Sequence, residues 1–76
     1  MTQTEFIKRM LEEKQRITQK HADSWGIKRL GARIWELRHS PVYAKFRKRY
    51  RVHSKMIAVK SRWGKARVAE YWVTRR

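Results

Sequence analysis

Thr18–His39 reads TQKHADSWGIKRLGARIWELRH, two helix-forming segments divided at a glycine. Thr18 is suited to cap the first, since a threonine hydroxyl satisfies a free N–H of the opening turn, and the helix it starts is predicted over Gln19–Trp25. Gly26 ends it: glycine takes the left-handed conformation after a helix C-cap without a Cβ penalty, so the chain can reverse direction at once. The second helix is predicted from about Lys28 to His39. On it Leu30, Ile34 and Leu37 recur at i, i+4 and i+7 and share one buried stripe. At about 100° per residue, Lys28, Arg29, Ala32 and Glu36 point away from the stripe and Arg33 flanks it. The segment is therefore a helix-turn-helix whose second member is cationic outside and slim, because of Gly31 and Ala32.

A slim helix with long donors towards its N-terminal half suits a DNA major groove roughly 12 Å wide. An ordinary helical hairpin with a solvated basic face would carry the same two helices, so the rest of the chain has to decide between them.

Charge bears on the choice. Seventy-six residues with 21 Lys and Arg against 6 Asp and Glu have a net charge of +15, which repels itself in a compact fold unless a polyanion offsets it. Nucleic acid is the expected partner. An acidic membrane surface is the rival, but no run of about 18 apolar residues is present to span a bilayer and no signal-peptide pattern opens the chain. A protein of the bacterial host cytoplasm, without a membrane partner, is expected. A chain this short buries roughly 60% of its unfolded surface, which leaves little room for an enclosed active site.

The sequence has no cysteine, which rules out disulfides, thiolate zinc sites and iron–sulfur clusters. His21, His39 and His53 stand 18 and 14 residues apart, match no short metal-ligand spacing and read as surface or phosphate-facing groups. No GxSxG, P-loop, HExxH or GxGxxG pattern occurs. The expectation is a binding protein, not an enzyme, with no metal or cofactor.

Towards the N-terminus, Thr2 and Glu5 fit a capping box, and Phe6, Ile7, Met10 and Leu11 follow at helical spacing, so a first helix is predicted from about residue 3 to Lys14. Glu5, Glu12 and Glu13 make it the least basic part of the chain, the side expected to point away from a polyanion. Arg16 and Ile17 read as a short extended link with one or two residues available to pair with a later hairpin.

Beyond the helix-turn-helix, Pro41 biases Ser40 out of helical geometry and closes the preceding helix. The segment Val42–His53 carries Lys45, Arg47, Lys48, Arg49 and Arg51. Ser40 as N-cap and Pro41 at N1 suit a short helix on which Val42 or Tyr43, Phe46 and Tyr50 share a face. Their spacing breaks period two, so a basic helical or irregular insertion at about 41–54 is expected, not a strand. Met56–Lys60 and Ala66–Val73 read as strands, with Ile57 and Val59 alternating on the first and Ala69, Tyr71 and Val73 on the second. Ser61–Lys65 supplies a turn at Gly64. Lys60, Arg62, Lys65 and Arg67 cluster at this tip, with Trp63 among them as an apolar surface for a sugar or for the hairpin itself. No acidic residue lies between Ile57 and Ala69.

Helix, extended link, helix, turn, helix and β-hairpin is the order of a winged helix-turn-helix, an α+β fold with a three-helix core followed by a β-hairpin wing. Ile17-Thr18, Gly26-Ile27, Arg29-Leu30-Gly31-Ala32-Arg33-Ile34, Glu36-Leu37-Arg38, Val59–Lys65 and Tyr71-Trp72-Val73 resemble small winged-helix domains of bacteriophages and prophages. The likeness spans roughly residues 3–39 and 56–73. It departs where Gly31 replaces the usual alanine and where the segment after Pro41 is longer and more basic. It implies a single domain over 1–76, a third helix entering the major groove through Lys28, Arg29 and Arg33, and a wing touching the backbone through Arg62 and Lys65. The charge pattern alone points to the same residues. Lys45, Arg47, Lys48, Arg49 and Arg51 are too clustered to read bases and are expected to clamp the phosphate backbone, with Trp63 and Arg67 adding to the tip.

The expected function is double-stranded DNA binding by a small phage or prophage transcriptional regulator or architectural factor. Two other readings use the same features. An inhibitor or adaptor could dock on an acidic surface of a host protein with tryptophan anchors, most plainly Trp35 and Trp63 if exposed, whereas Trp25 and Trp72 are expected in the core. An RNA-binding protein could stack Tyr43, Phe46 and Tyr50 on unpaired bases.

Overall fold

The computed structural model describes residues 2–13 and 15–76. Helix α1 (Gln3–Glu12) opens on Thr2, whose hydroxyl accepts the Glu5 N–H at 3.1 Å. Its expected end at Lys14 lies outside the described residues. Ile7 and Leu11, one turn apart, are fully buried together with Thr4, while Phe6 and Met10 pack at the core's edge.

Strand β1 (Ile17–Thr18) pairs with a later strand, as its extended link was expected to, and leads into α2 (Gln19–Ser24). The reversal that follows is a Schellman motif. Ile27 N–H donates to the Ala22 carbonyl at 2.8 Å and Gly26 N–H to Asp23 at 3.0 Å, with Gly26 at φ +76°. Ala22 and Ile27 are both buried, which supplies the apolar contact that accompanies this cap. Helix α3 (Leu30–His39) starts two residues later than expected: Arg29 is its N-cap with an extended φ of −125°, and Lys28 belongs to the turn. Leu30, Ile34 and Leu37 are buried, as their spacing required.

After Ser40, Pro41–Tyr43 forms one 3-10 turn and Ala44–Arg49 forms α4. Ser40 Oγ accepts the Val42 N–H at 3.3 Å, so serine and proline act as cap and first helical residue. The expected basic insertion is thus helical only as far as Arg49. Tyr50–Ser61 is β2 and Gly64–Arg75 is β3, each longer than the sequence pattern indicated. Apolar Tyr50 and Val52 alternate with Arg51 and His53, and the stretch 50–55 is held extended because each residue pairs with one of 70–75.

The three strands form an antiparallel sheet in the order β1-β3-β2. Cross-strand partners face the same side of a sheet. The pairs Val52–Val73, Ser54–Tyr71, Met56–Ala69, Ala58–Arg67 and Lys60–Lys65 therefore share one face. This is the helix-bearing face, because Val73 is buried in the core and Val52 and Tyr71 pack against it. Ile57 and Val59 pair with Val68 and Ala66 on the opposite face, so the two apolar sets seen in the sequence do not meet. Trp72 also lies on that outer face, paired with His53, which corrects its expected place in the core. Among the described tryptophans it is Trp25 that packs on the core, edge-to-face with Phe6 at 5.2 Å.

Candidate nucleic-acid interface

Going around α3 from Leu30 at about 100° per residue, Arg38 and Gly31 lie near 80–100°, Trp35, His39 and Ala32 near 140–200°, and Glu36 and Arg33 near 240–300°. The two flanks meet different neighbours. Glu36 accepts the Thr4 hydroxyl of α1 at 2.7 Å and pairs with Arg33 Nη2 at 3.0 Å, while Arg33 Nε is buried. Glu36 does not point outward and Arg33 is not a free donor. Both belong to the seam between α1 and α3, because a carboxylate beside a buried threonine gains more from that hydroxyl and an adjacent guanidinium than from solvent.

On the other flank, Arg38 Nη2 reaches Ser54 Oγ at 3.3 Å and approaches the Val52 carbonyl at 3.5 Å, joining α3 to the base of β2. A Cβ added to Gly31 would sit 3.9 Å from Tyr71 Oη, so that part of α3 lies against β3. Trp35 remains outside, 62% exposed and tilted on His39 at a centroid distance of 4.8 Å. The exposed residues of α3 are thus Gly31, Trp35, Arg38 and His39, with Ala32 half-buried beside them, entered past exposed Lys28 and Arg29, and none of them is a carboxylate.

The turn before α3 is braced by Gln19, a role that its sequence context did not reveal. Its amide nitrogen donates to Asp23 Oδ1 (2.8 Å) and to the Ile27 carbonyl (3.0 Å), while its oxygen accepts the Leu30 N–H (3.1 Å). One side chain therefore links the start of α2 to the start of α3. His21 is likewise structural, because its Nδ1 accepts the Thr18 N–H at 3.1 Å. Its identity as a polar residue three places after Thr18 was the available signal.

Beyond Ser54 and Tyr71 the β2–β3 hairpin continues for seven residues to Ser61, an arm of about 23 Å at 3.3 Å per residue. It accounts for much of the 41 Å long axis. Lys60, Lys65 and Arg67 all stand on the helix-bearing face. Arg62 and Trp63 form the turn, with the Arg62 guanidinium 6.0 Å from the Trp63 ring centre and Trp63 92% exposed. Gly64 has φ +115°, a backbone that a side chain would strain. Glu70, the arm's one acid, is on the outer face, bound to Arg16 at 3.0 Å, and Arg16 also covers the Trp72 ring at 4.5 Å.

The residues of 45–51 do not act as one group. Arg47 Nη1 donates to the carbonyls of Leu37 (2.8 Å) and Ser40 (2.7 Å), closing the C-terminal end of α3, so its expected role as a backbone clamp gives way to a structural one. Lys45, Lys48 and Arg49 line a groove with Lys8, Glu12 and Tyr50, beside the acidic face of α1. Arg51 is exposed on the outer face of the sheet, across from Thr74. Tyr43 and Phe46 are buried and Tyr50 is half-buried, so this aromatic set does not offer the stacking platform that RNA binding would need.

Among the described residues no group of His, Asp and Glu is placed to hold a metal ion, and no helix is long and apolar enough to cross a membrane. The chain matches no protein-family model, no curated protein and no solved structure.

Proposed function

We propose that the protein binds double-stranded DNA as a winged helix-turn-helix of phage or prophage type, serving as a small transcriptional regulator or architectural factor in the bacterial cytoplasm. The observation that supports it most directly is the segregation of charge. Lys28, Arg29 and Arg38 on or beside α3, and Lys60, Arg62, Lys65 and Arg67 on the arm, are all exposed, while the acidic residues lie elsewhere or are held by partners. Glu36 turns to α1, Glu70 to the outer face of the sheet, Asp23 bonds Gln19 on α2, and Glu5, Glu12 and Glu13 lie on α1. In this reading α3 enters the major groove with Gly31 and Ala32 allowing close approach. Lys28 and Arg29 reach base edges or phosphates, and the arm follows the adjacent backbone.

The test is a competition among duplex DNA, single-stranded DNA, structured RNA and a host lysate at near-physiological salt. Preference for duplex is expected. With about six phosphates neutralised, log K against log salt should slope near −5, and a slope shallower than about −2 refutes the duplex reading. Replacing Lys28 and Arg29 with alanine should reduce sequence discrimination. Exposed Trp35 and Trp63 favour a second reading, an inhibitor or adaptor on an acidic host protein, since tryptophan and arginine dominate interface hot spots. Recovery of one stoichiometric host protein despite excess duplex would select it.

A further inference from the structure

Arginines converge where the C-terminal end of α3 meets the start of β2. Arg38, Arg47, Arg51 and Arg76, with Tyr50 and Val52, line a cleft of about 280 Å³ that has no acidic residue in its wall. Arginines gathered around one cavity repel one another, and a stable fold normally intersperses carboxylates among them. Here three of the four are instead held by uncharged acceptors. Arg38 is bound by Ser54 Oγ at 3.3 Å, and Arg47 by the Leu37 and Ser40 carbonyls. Arg76 Nε donates to the Arg47 carbonyl at 2.7 Å and lies 3.3 Å from that of Tyr50. Backbone carbonyls orient these groups without neutralising them. The forks are therefore placed in advance and their charge is left for a ligand.

We infer that this cleft is a seat for a phosphoryl oxyanion, with Arg38 and Arg76 as the principal donors and Arg47 completing the wall. The planar guanidinium matches the spacing of phosphate oxygens and makes paired, charge-assisted bonds to them. Its volume admits a phosphate or diphosphate group. The identity of the occupant rests on the duplex reading above, under which a backbone phosphodiester beside the C-terminal end of α3 fills it. A free phosphorylated small molecule presents the same chemistry.

The full chain, labelled with 15N, is titrated with inorganic pyrophosphate while the arginine Nε–Hε signals are followed. The Arg38 and Arg76 signals should move together and saturate, and the exposed double variant R38Q/R76Q should weaken pyrophosphate binding at least tenfold with its amide spectrum intact. R9Q/K20Q, on α1 and α2 away from the cleft, should leave it unchanged. Shifts spread over all arginines without saturation, or an equal loss in R9Q/K20Q, would overturn the seat. In a parallel arm with duplex DNA, a salt slope lowered by about 0.9 in R38Q/R76Q identifies a phosphodiester occupant. An unchanged slope together with the pyrophosphate loss identifies a free phosphorylated ligand in the same seat. If the wild-type chain binds no duplex, the DNA reading fails on its own and the pyrophosphate arm still decides the seat.

Discussion

Arg47→Ala separates a structural arginine from a DNA-binding one. The side chain closes α3 through bonds of 2.8 and 2.7 Å to the Leu37 and Ser40 carbonyls, and both bonds are partly buried. A hydrogen bond to a charged group contributes about 1.5–3 kcal/mol in a protein, and partial exposure lowers that, so losing both should cost about 2–3 kcal/mol. At roughly 0.05–0.15 kcal/mol per residue, the whole 76-residue fold is stable by about 4–11 kcal/mol. The variant should therefore lose a large part of its stability, and its Tm should fall by roughly 10–20 °C. Urea unfolding followed by circular dichroism measures the change directly. Lys48→Ala, one residue away and exposed, should stay within about 0.5 kcal/mol of wild type. Arg47→Lys should recover less than half of the loss, since an ammonium cannot span two carbonyls as a planar fork does. If Arg47→Ala and Lys48→Ala unfold at the same urea concentration, the capping role is wrong and Arg47 returns to the set of candidate phosphate contacts.

Thr4→Val keeps the shape of a side chain that is 2% exposed but removes the hydroxyl donated to Glu36, and should cost about 1–2 kcal/mol in chemical denaturation. Gly26→Ala should destabilise by about 1–2 kcal/mol because its φ is +76°; nothing lies within 4 Å of the added Cβ, so the cost is backbone strain alone and Gly26→Asn should recover part of it. Trp35→Ala should change stability by no more than about 0.5 kcal/mol yet weaken duplex binding measurably by fluorescence anisotropy. Arg33→Ala should show the reverse pattern, with lost stability and unaltered sequence preference, because Glu36 already holds its guanidinium.

The features legible in the sequence are those fixed within a few residues. The Thr2 cap, the glycine stop at Gly26, the Leu30, Ile34 and Leu37 stripe, the Ser40-Pro41 start and the Gly64 turn all depend on local backbone geometry, and each is found where its pattern placed it. The excess of positive charge was equally plain. The tertiary structure decided which groups remain available. A period-two pattern shows which residues of one strand share a face, but only pairing with the neighbouring strand set Ile57 and Val59 apart from Tyr71 and Val73 and placed Trp72 outside. Arginine at positions 33 and 47 has the same donors as arginine at 29 or 62; Glu36, which holds Arg33 from one turn along α3, is drawn inward by Thr4 of α1, and the carbonyls that hold Arg47 belong to α3 and the turn after it, placements that arise only when the chain folds. The cleft of Arg38, Arg47, Arg51 and Arg76 likewise unites residues up to 38 positions apart, so no local pattern could announce it.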